Sequence, residues 1–273
     1  MKFMLAPLED VTDNPFRELC YRHGADLTFT EMTRLASLVR NNKSSLNKIE
    51  ILNDVPTQIQ LAAIKEKELE TFLTRYQPCK SFKGINFNIG CPSPQLIRLG
   101  LGCALIKRVT KVNKLVKVVK DHGYACSIKM RLGANIFEKQ KKVYLNLING
   151  VDADFFAVHA RHGSEHYETK PDYSVFPECV KTGKEIIANG DIDNREKVIL
   201  LKDMGVKGVM IGRAAVRNPA IFERLKGIKE TNIDLIKKEY LELTAGEESK
   251  YKKNIIKRLG KEKIIDNEDH VMG

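Results

Sequence analysis

A cysteine inside a glycine–proline turn is placed for chemistry. In Asn88-Ile89-Gly90-Cys91-Pro92 the thiol follows a short apolar run, where it can act as general acid or nucleophile, or simply fill a tight bend. Two other apolar runs end in ionisable side chains, one in Lys129 with Arg131 after it and one in His159. Lys129 can stabilise negative charge and His159 can hydrogen-bond a bound group, although a lysine or histidine at a strand end is, taken alone, more often a solvated or satisfied polar residue. Gln60 and Asn88 carry amides suited to the alternating donors and acceptors of a planar heterocycle. Two more runs end in glycine turns, Asn189-Gly190-Asp191 and Gly212-Arg213. Such glycines let backbone amides approach an anion, and an adjacent arginine completes a phosphate site.

These residues share a position, the end of an apolar run, and the runs recur. Strands are predicted at 3–6, 27–31, 57–61, 84–88, 125–130, 155–159, 185–188 and 208–211, with helical segments between them. Mostly continuous Val/Ile/Phe-type runs point to parallel strands buried on both faces, and eight βα units point to a closed TIM barrel. Such a barrel carries its site at the C-terminal strand ends, where Ala6-Pro7, Glu31, Gln60, Asn88, Lys129, His159, Asn189 and Gly212 fall. The first helix is predicted over 14–23, capped by the polar residues before Pro15 and closed by Gly24. A helix over 103–121 has Val109, Val112, Leu115, Val116 and Val119 as its inner stripe. Its Lys107, Lys111, Lys114 and Lys117 are read as a solvated outer face in preference to an RNA contact.

Residues 1–224 form the expected barrel domain, and 225–273 a short, charged helical appendage with helices near 233–243 and 249–259. Between 249 and 263 stand Lys250, Lys252, Lys253, Lys257, Arg258, Lys261 and Lys263 against Glu262 alone. Such a helix either tracks phosphates or is an ordinary soluble helix with a charged face. The acidic stretch from Asp266 to His270 is expected to fray.

Composition bounds the rest. The 273 residues, 42% hydrophobic and 30% charged, suit one globular catalytic domain. No apolar run approaches the roughly 20 residues that span a bilayer, and the N-terminus lacks a signal-peptide pattern, so a cytoplasmic protein without membrane attachment is expected. The six cysteines include no Cys-x-x-Cys pair, so free thiols and no metal site are expected. The net charge of +11 raises affinity for polyanions.

The segments Ala6-Pro7-Leu8-Glu9-Asp10-Val11-Thr12-Asp13 with Pro15-Phe16-Arg17, Thr30-Glu31-Met32, Asn88 to Pro92 with Gly100 and Gly102, Lys129-Met130-Arg131-Leu132-Gly133, Val158-His159-Ala160-Arg161, Ala188 to Asp191, and Gly212-Arg213 resemble, in order, the tRNA-dihydrouridine synthases. The resemblance implies an FMN-dependent oxidoreductase that takes reducing equivalents from NADPH and reduces the 5,6-double bond of uridine in tRNA. It places Ala6, Pro7, Gln60, Lys129, His159, Asn189, Gly190, Asp191, Gly212 and Arg213 around FMN. It places Asn88, Arg161 and Tyr167 toward the substrate, and makes Cys91 the proton donor. A monomer is expected. Two departures stand out: His162 to Tyr167 follows Arg161 where the family usually has threonine, and the family's C-terminal helical domain is longer than the appendage here. Alternatives are another FMN barrel reductase, acting on free pyrimidines or dihydroorotate, and a barrel kept only as an RNA-binding module.

Overall fold

A computed structural model describes residues 1–261; Glu262, Lys263 and the stretch from Asp266 to His270 lie outside the described residues. Nine strands form one parallel sheet: β1 (Lys2–Leu5), β2 (Thr28–Phe29), β3 (Thr33–Arg34), β4 (Thr57–Ala62), β5 (Phe82–Ile89), β6 (Cys126–Met130), β7 (Phe155–His159), β8 (Ile186–Asn189) and β9 (Gly208–Ile211). The hydrogen-bonded order β1-β9-β8-β7-β6-β5-β4-β2, with β3 also on β4, is closed by a bridge between Met4 and Leu27. The result is the expected TIM barrel, with helices outside it.

The strands β7 and β9 have the bounds predicted for them; the second stave does not. It breaks into β2 and β3 because the Gln60 amide, which would continue the ladder, is taken by the Thr30 hydroxyl at 3.1 Å. The helix predicted from residue 103 begins instead at Val109 and runs to Asp121. Ahead of it Gly102–Leu105 is a separate 3-10 turn, because the Cys103 amide is committed to the Cys91 carbonyl at 3.0 Å. Val112, Leu115, Val116 and Val119 are its buried face, and Lys111 and Lys117 pair with Glu66 and Asp121 outside.

Strand side chains alternate between two environments. Outward residues such as Leu5, Ile59, Phe87, Ile128, Val158 and Ile211 join the large core beneath the helices. The barrel interior is divided. Met4, Ala6, Phe29, Phe155, Ala157, Ile187 and Met210 fill one side with hydrocarbon, whereas β4, β5 and β6 turn the buried polar residues Gln58, Gln60, Asn86, Asn88 and Ser127 inward.

The last barrel helix, Ile221–Lys226, runs across position 224, so the compositional change there falls inside an element. Helix Ile233–Leu243 buries Ile236 and Tyr240 against helix Asn14–Arg22. Between them His23 lies within 2.8 Å of Glu223 and 3.0 Å of Glu239. The basic helix Lys250–Ile256 folds back over the barrel: Tyr251 donates to Glu31, Lys250 pairs with Asp10, and the Asn254 amide donates to the Asp10 carbonyl at 3.2 Å. Among the described residues no helix is long and apolar enough to cross a membrane.

Candidate active site

Cys91 leaves β5 in a loop that lies against the end of β6, since a Cβ on Gly90 would stand 3.1 Å from the Met130 carbonyl carbon. The Asn88 side-chain oxygen accepts from the Gly90 amide at 3.1 Å and the Cys91 amide at 2.9 Å. The Cys91 carbonyl meets the Cys103 amide, and the Cys103 thiol donates to the Gly90 carbonyl at 2.9 Å. Cys91 packs beside Ala62, Leu96 and Leu101. Burial pushes its thiol above the ordinary value, against smaller downward pulls from the Ser93 amide, Arg131 and Lys129. A thiol held protonated is an acid rather than a nucleophile.

Gly102 makes this loop possible. Its φ is +58°, and a Cβ there would come within 2.3 Å of the Cys91 carbonyl oxygen. Gly102→Ala is expected to cost about 1–3 kcal/mol of stability through backbone strain and to slow the chemistry as the loop shifts; thermal unfolding and single-turnover rates of the variant check both effects.

Lys129 is the register partner of Asn88. Its ammonium makes no hydrogen bond or ion pair with a described residue, and burial together with the Arg131 charge lowers its pKa from 10.5 to about 8. A cation so placed calls for an anionic ligand. His159 is buried, and burial, Arg131 and Lys129 hold it well below its usual pKa, hence neutral. The Arg161 guanidinium lies 3.2 Å from its Nε2. Since arginine only donates, Nε2 accepts and Nδ1 carries the hydrogen, ready to face a ligand.

Asp191 takes a left-handed φ of +46° and is clamped between Arg161 and Arg213. Burial would raise its carboxyl; the Arg161 hydrogen bond and the two guanidinium charges overcome that and hold it below the usual range. Asn189 donates to the Met210 carbonyl at 2.8 Å, which ties the two glycine turns together. Gly190 has φ +119°, and a Cβ there would stand 3.0 Å from the His159 ring. Gly212 faces Ala6, whose Cβ would be 3.7 Å from one added at the glycine, and Pro7 follows at the rim. Arg213 stacks 4.0 Å from the Tyr167 ring centroid, and that ring stacks on His159 at 6.4 Å.

The expected site residues therefore meet at one mouth, in two groups: Gln60, Asn88, Cys91 and Lys129 over β4 to β6, and His159, Asn189, Gly190, Asp191, Gly212 and Arg213 over β7 to β9 with Ala6. Arg161 and Tyr167 join the second group. Arg161, read from the sequence as facing substrate, is fully buried, with its donors on the Thr169 and Tyr167 carbonyls, His159 and Asp191; it braces the loop that carries Tyr167. Sequence reasoning assigned no role to Tyr173, whose hydroxyl donates to the Gly190 carbonyl, or to Lys197, which donates to the Asp191 carbonyl at 2.7 Å. Both reach the turn from helical segments, with no local sequence signal.

The mouth thus gathers the cations Lys129, Arg131, Arg161 and Arg213, the Asp191 carboxylate that pairs with the last two, a protonated thiol and a neutral histidine. Known proteins resemble this chain in sequence and in fold. The family model described as "Dihydrouridine synthase (Dus)" matches residues 4–267. The chain is 34% identical over 230 residues to a Helicobacter pylori protein named "Probable tRNA-dihydrouridine synthase", covering 81% of this chain and 69% of the relative. It is 32% identical to "tRNA-dihydrouridine synthase B" of Xanthomonas campestris, covering 81% of this chain and 68% of that one. Morphinone reductase in complex with tetrahydroNAD superposes with a TM-score of 0.53 at 12% identity, over 88% of this chain and 90% of that one, a likeness of fold. With a family model spanning nearly the whole described chain and relatives above 30% identity, this chain belongs to the dihydrouridine synthase family.

Proposed function

We propose that this chain reduces the 5,6-double bond of uridine in tRNA, using FMN as its resident cofactor and NADPH as reductant. The observation that carries the reading is the meeting, at one barrel mouth, of a half-buried ammonium with no protein partner among the described residues, Lys129, and a thiol held protonated, Cys91. Reduced FMN, when bound, supplies the hydride for carbon 6 of the uracil. The residues present fit that group: Lys129 offers a positive charge to its anionic ring edge, His159 offers Nδ1–H, the Gly190 and Gly212 turns leave room for a phosphate, and Arg213 beside them carries a matching charge. Gln60 stands at the same rim with a second amide hydrogen to spare.

Cys91 gives its proton to carbon 5 from the loop above β5. Asn88, which fixes that loop through its oxygen, has an amide hydrogen left for a uracil oxygen. Tyr167 and Arg213 form a flat wall on the other side. A uracil stacked within folded RNA reaches this pocket only by leaving its stack, at a cost of a few kcal/mol that contacts to the RNA backbone must offset. The appendage, residues 225–273, is the part we assign to that contact.

The test is anaerobic oxidation of the reduced, flavin-loaded protein by unmodified tRNA and, separately, by free uridine. Oxidation by tRNA alone supports the reading; oxidation by a free pyrimidine would transfer the chain to a free-base reductase, and oxidation by neither would leave a barrel without this chemistry. The basic helix makes its own prediction. Lys250 and Lys252 are engaged with Asp10 and with the Thr244 and Glu247 carbonyls; Lys253, paired at 3.7 Å with the exposed Glu248, and Lys257 lie on the surface. Replacing Lys253 and Lys257 by alanine is expected to flatten the slope of log K for tRNA against log salt by up to about 2, and binding titrations across a salt series read it directly.

A further inference from the structure

The barrel interior contains a hydrogen-bonded chain of side chains that all point the same way. The Gln58 amide nitrogen donates to the Lys83 carbonyl at 3.0 Å. The Ser127 hydroxyl donates to the Gln58 oxygen at 2.5 Å, and the Asn86 amide nitrogen donates to the Ser127 hydroxyl at 2.7 Å. Gln60 donates to the Asn86 oxygen at 2.7 Å, and Asn88 donates to the Gln60 oxygen at 3.1 Å. The chain ends where the Asn88 oxygen accepts the Gly90 and Cys91 amides.

Its direction is set at both ends by groups that cannot exchange roles. A backbone carbonyl only accepts, so Gln58 must turn its nitrogen toward Lys83; backbone amides only donate, so Asn88 must turn its oxygen toward the Cys91 loop. Each side-chain amide between them has one orientation that satisfies both neighbours, and all five side chains are buried. Stability alone does not require this arrangement, because the opposite side of the same interior is filled by Met4, Phe29, Phe155, Ile187 and Met210. A fully satisfied buried polar chain fixes the orientation of each of its members.

We infer that Asn86, Ser127 and Gln58 are positioning residues for the acid: through Gln60 they lock the Asn88 amide in the orientation that holds the Cys91 loop. This deepens, and rests on, the assignment of Cys91 as proton donor. If Asn86 loses its oxygen, Gln60 loses its acceptor and is free to reverse. Asn88 then faces a nitrogen where it had an oxygen, and its hold on the Gly90 and Cys91 amides weakens.

Two substitutions at Asn86 separate orientation from packing. Asn86→Leu keeps the branched shape, at a larger volume, and removes both the acceptor and the donor; Asn86→Asp keeps the acceptor toward Gln60 and places a carboxyl in the core. In flavin-free full-length protein, amide hydrogen exchange at Gly90 and Cys91 should quicken about tenfold in Asn86→Leu and stay near wild type in Asn86→Asp, as expected for one oriented hydrogen bond. In flavin-loaded protein at saturating FMN, oxidation by tRNA should slow about tenfold in Asn86→Leu, with reduction by NADPH unchanged, and the same substitution should add nothing to Cys91→Ala. Equal losses in both variants, exchange raised throughout the barrel, or a loss that persists in the Cys91→Ala background would overturn the inference. Wild-type protein that tRNA fails to oxidise would instead overturn the functional reading, while the exchange comparison still decides the orientation of the loop. Should Asn86→Leu fail to fold, Ser127→Ala, which frees the Asn86 amide from the other side, is read by the same exchange and double-variant comparison.

Discussion

Replacing Cys91 by alanine is expected to slow oxidation of the reduced protein by tRNA by about 10² to 10⁴, the usual contribution of a positioned acid, with flavin still bound and still reducible by NADPH. The side chain sits in a loop held by its own backbone, through the Asn88 oxygen, the Cys103 amide and the Gly102 turn, so removing the sulfur leaves those supports standing. Rapid-mixing absorbance of the flavin separates the two half-reactions. Loss of flavin from the variant would make Cys91 a structural residue. The direction of its pKa adds a pH signature. Because the thiol titrates above its ordinary 9.0, the tRNA-dependent rate should be flat through neutrality and fall only on the alkaline side; a decline that begins near neutral pH would point to another acid.

Lys129→Met should move two properties in opposite directions. In the flavin-free protein the half-buried Lys129 has no hydrogen-bond or ion-pair partner among the described residues, and burial with the Arg131 charge lowers its pKa from 10.5 to about 8. The unfolded chain therefore binds more protons than the folded one between those two values, and stability rises with pH across that window. Below pH 8 the full penalty applies, on the order of 3 kcal/mol by linkage. Methionine keeps the length and removes the charge, so the flavin-free variant should melt several degrees higher at pH 7, and its advantage should shrink as the pH climbs toward 10.5. With flavin the order reverses: loss of the positive charge should slow flavin reduction by about 10². Calorimetry of flavin-free protein at several pH values checks the first effect and single-turnover reduction the second. An unchanged or lower melting temperature would show that the ammonium is satisfied without a ligand.

The sequence carried the barrel because βα alternation is a local signal: β7 and β9 were read to the residue, and the other staves to within a residue or two except at the second. There Thr30 takes the Gln60 amide from a distant part of the chain, which no local pattern announces. The site was legible in the same way, since a TIM barrel converts strand ends into a ring, and the ring contains Gln60, Asn88, Lys129, His159, Asn189 and Gly212. What the local pattern could not give was pairing. Arg161 looks from the sequence like a substrate contact, yet it folds under Tyr167 and is used up inside. The interior amides do carry a local signal. Gln-Ile-Gln in β4, Asn-Phe-Asn in β5 and Ser-Ile-Lys in β6 alternate polar with apolar residues at period two, which in a strand covered on its outer face means polar groups pointing into the barrel.

Helix Lys250–Ile256 is fastened to the rim at Glu31 and Asp10, and Glu31 also receives the Asp10 amide and Lys48. A lobe attached in that way behaves as a caliper. One jaw is the helix, the other is the catalytic pocket, and the gap between them is set by direct side-chain contacts rather than by a linker. Were the exposed lysines to grip RNA, as proposed above, the pocket would receive only those bases that lie one jaw-width away along its fold, and the choice of nucleotide would follow from the span of the grip without any reading of neighbouring bases.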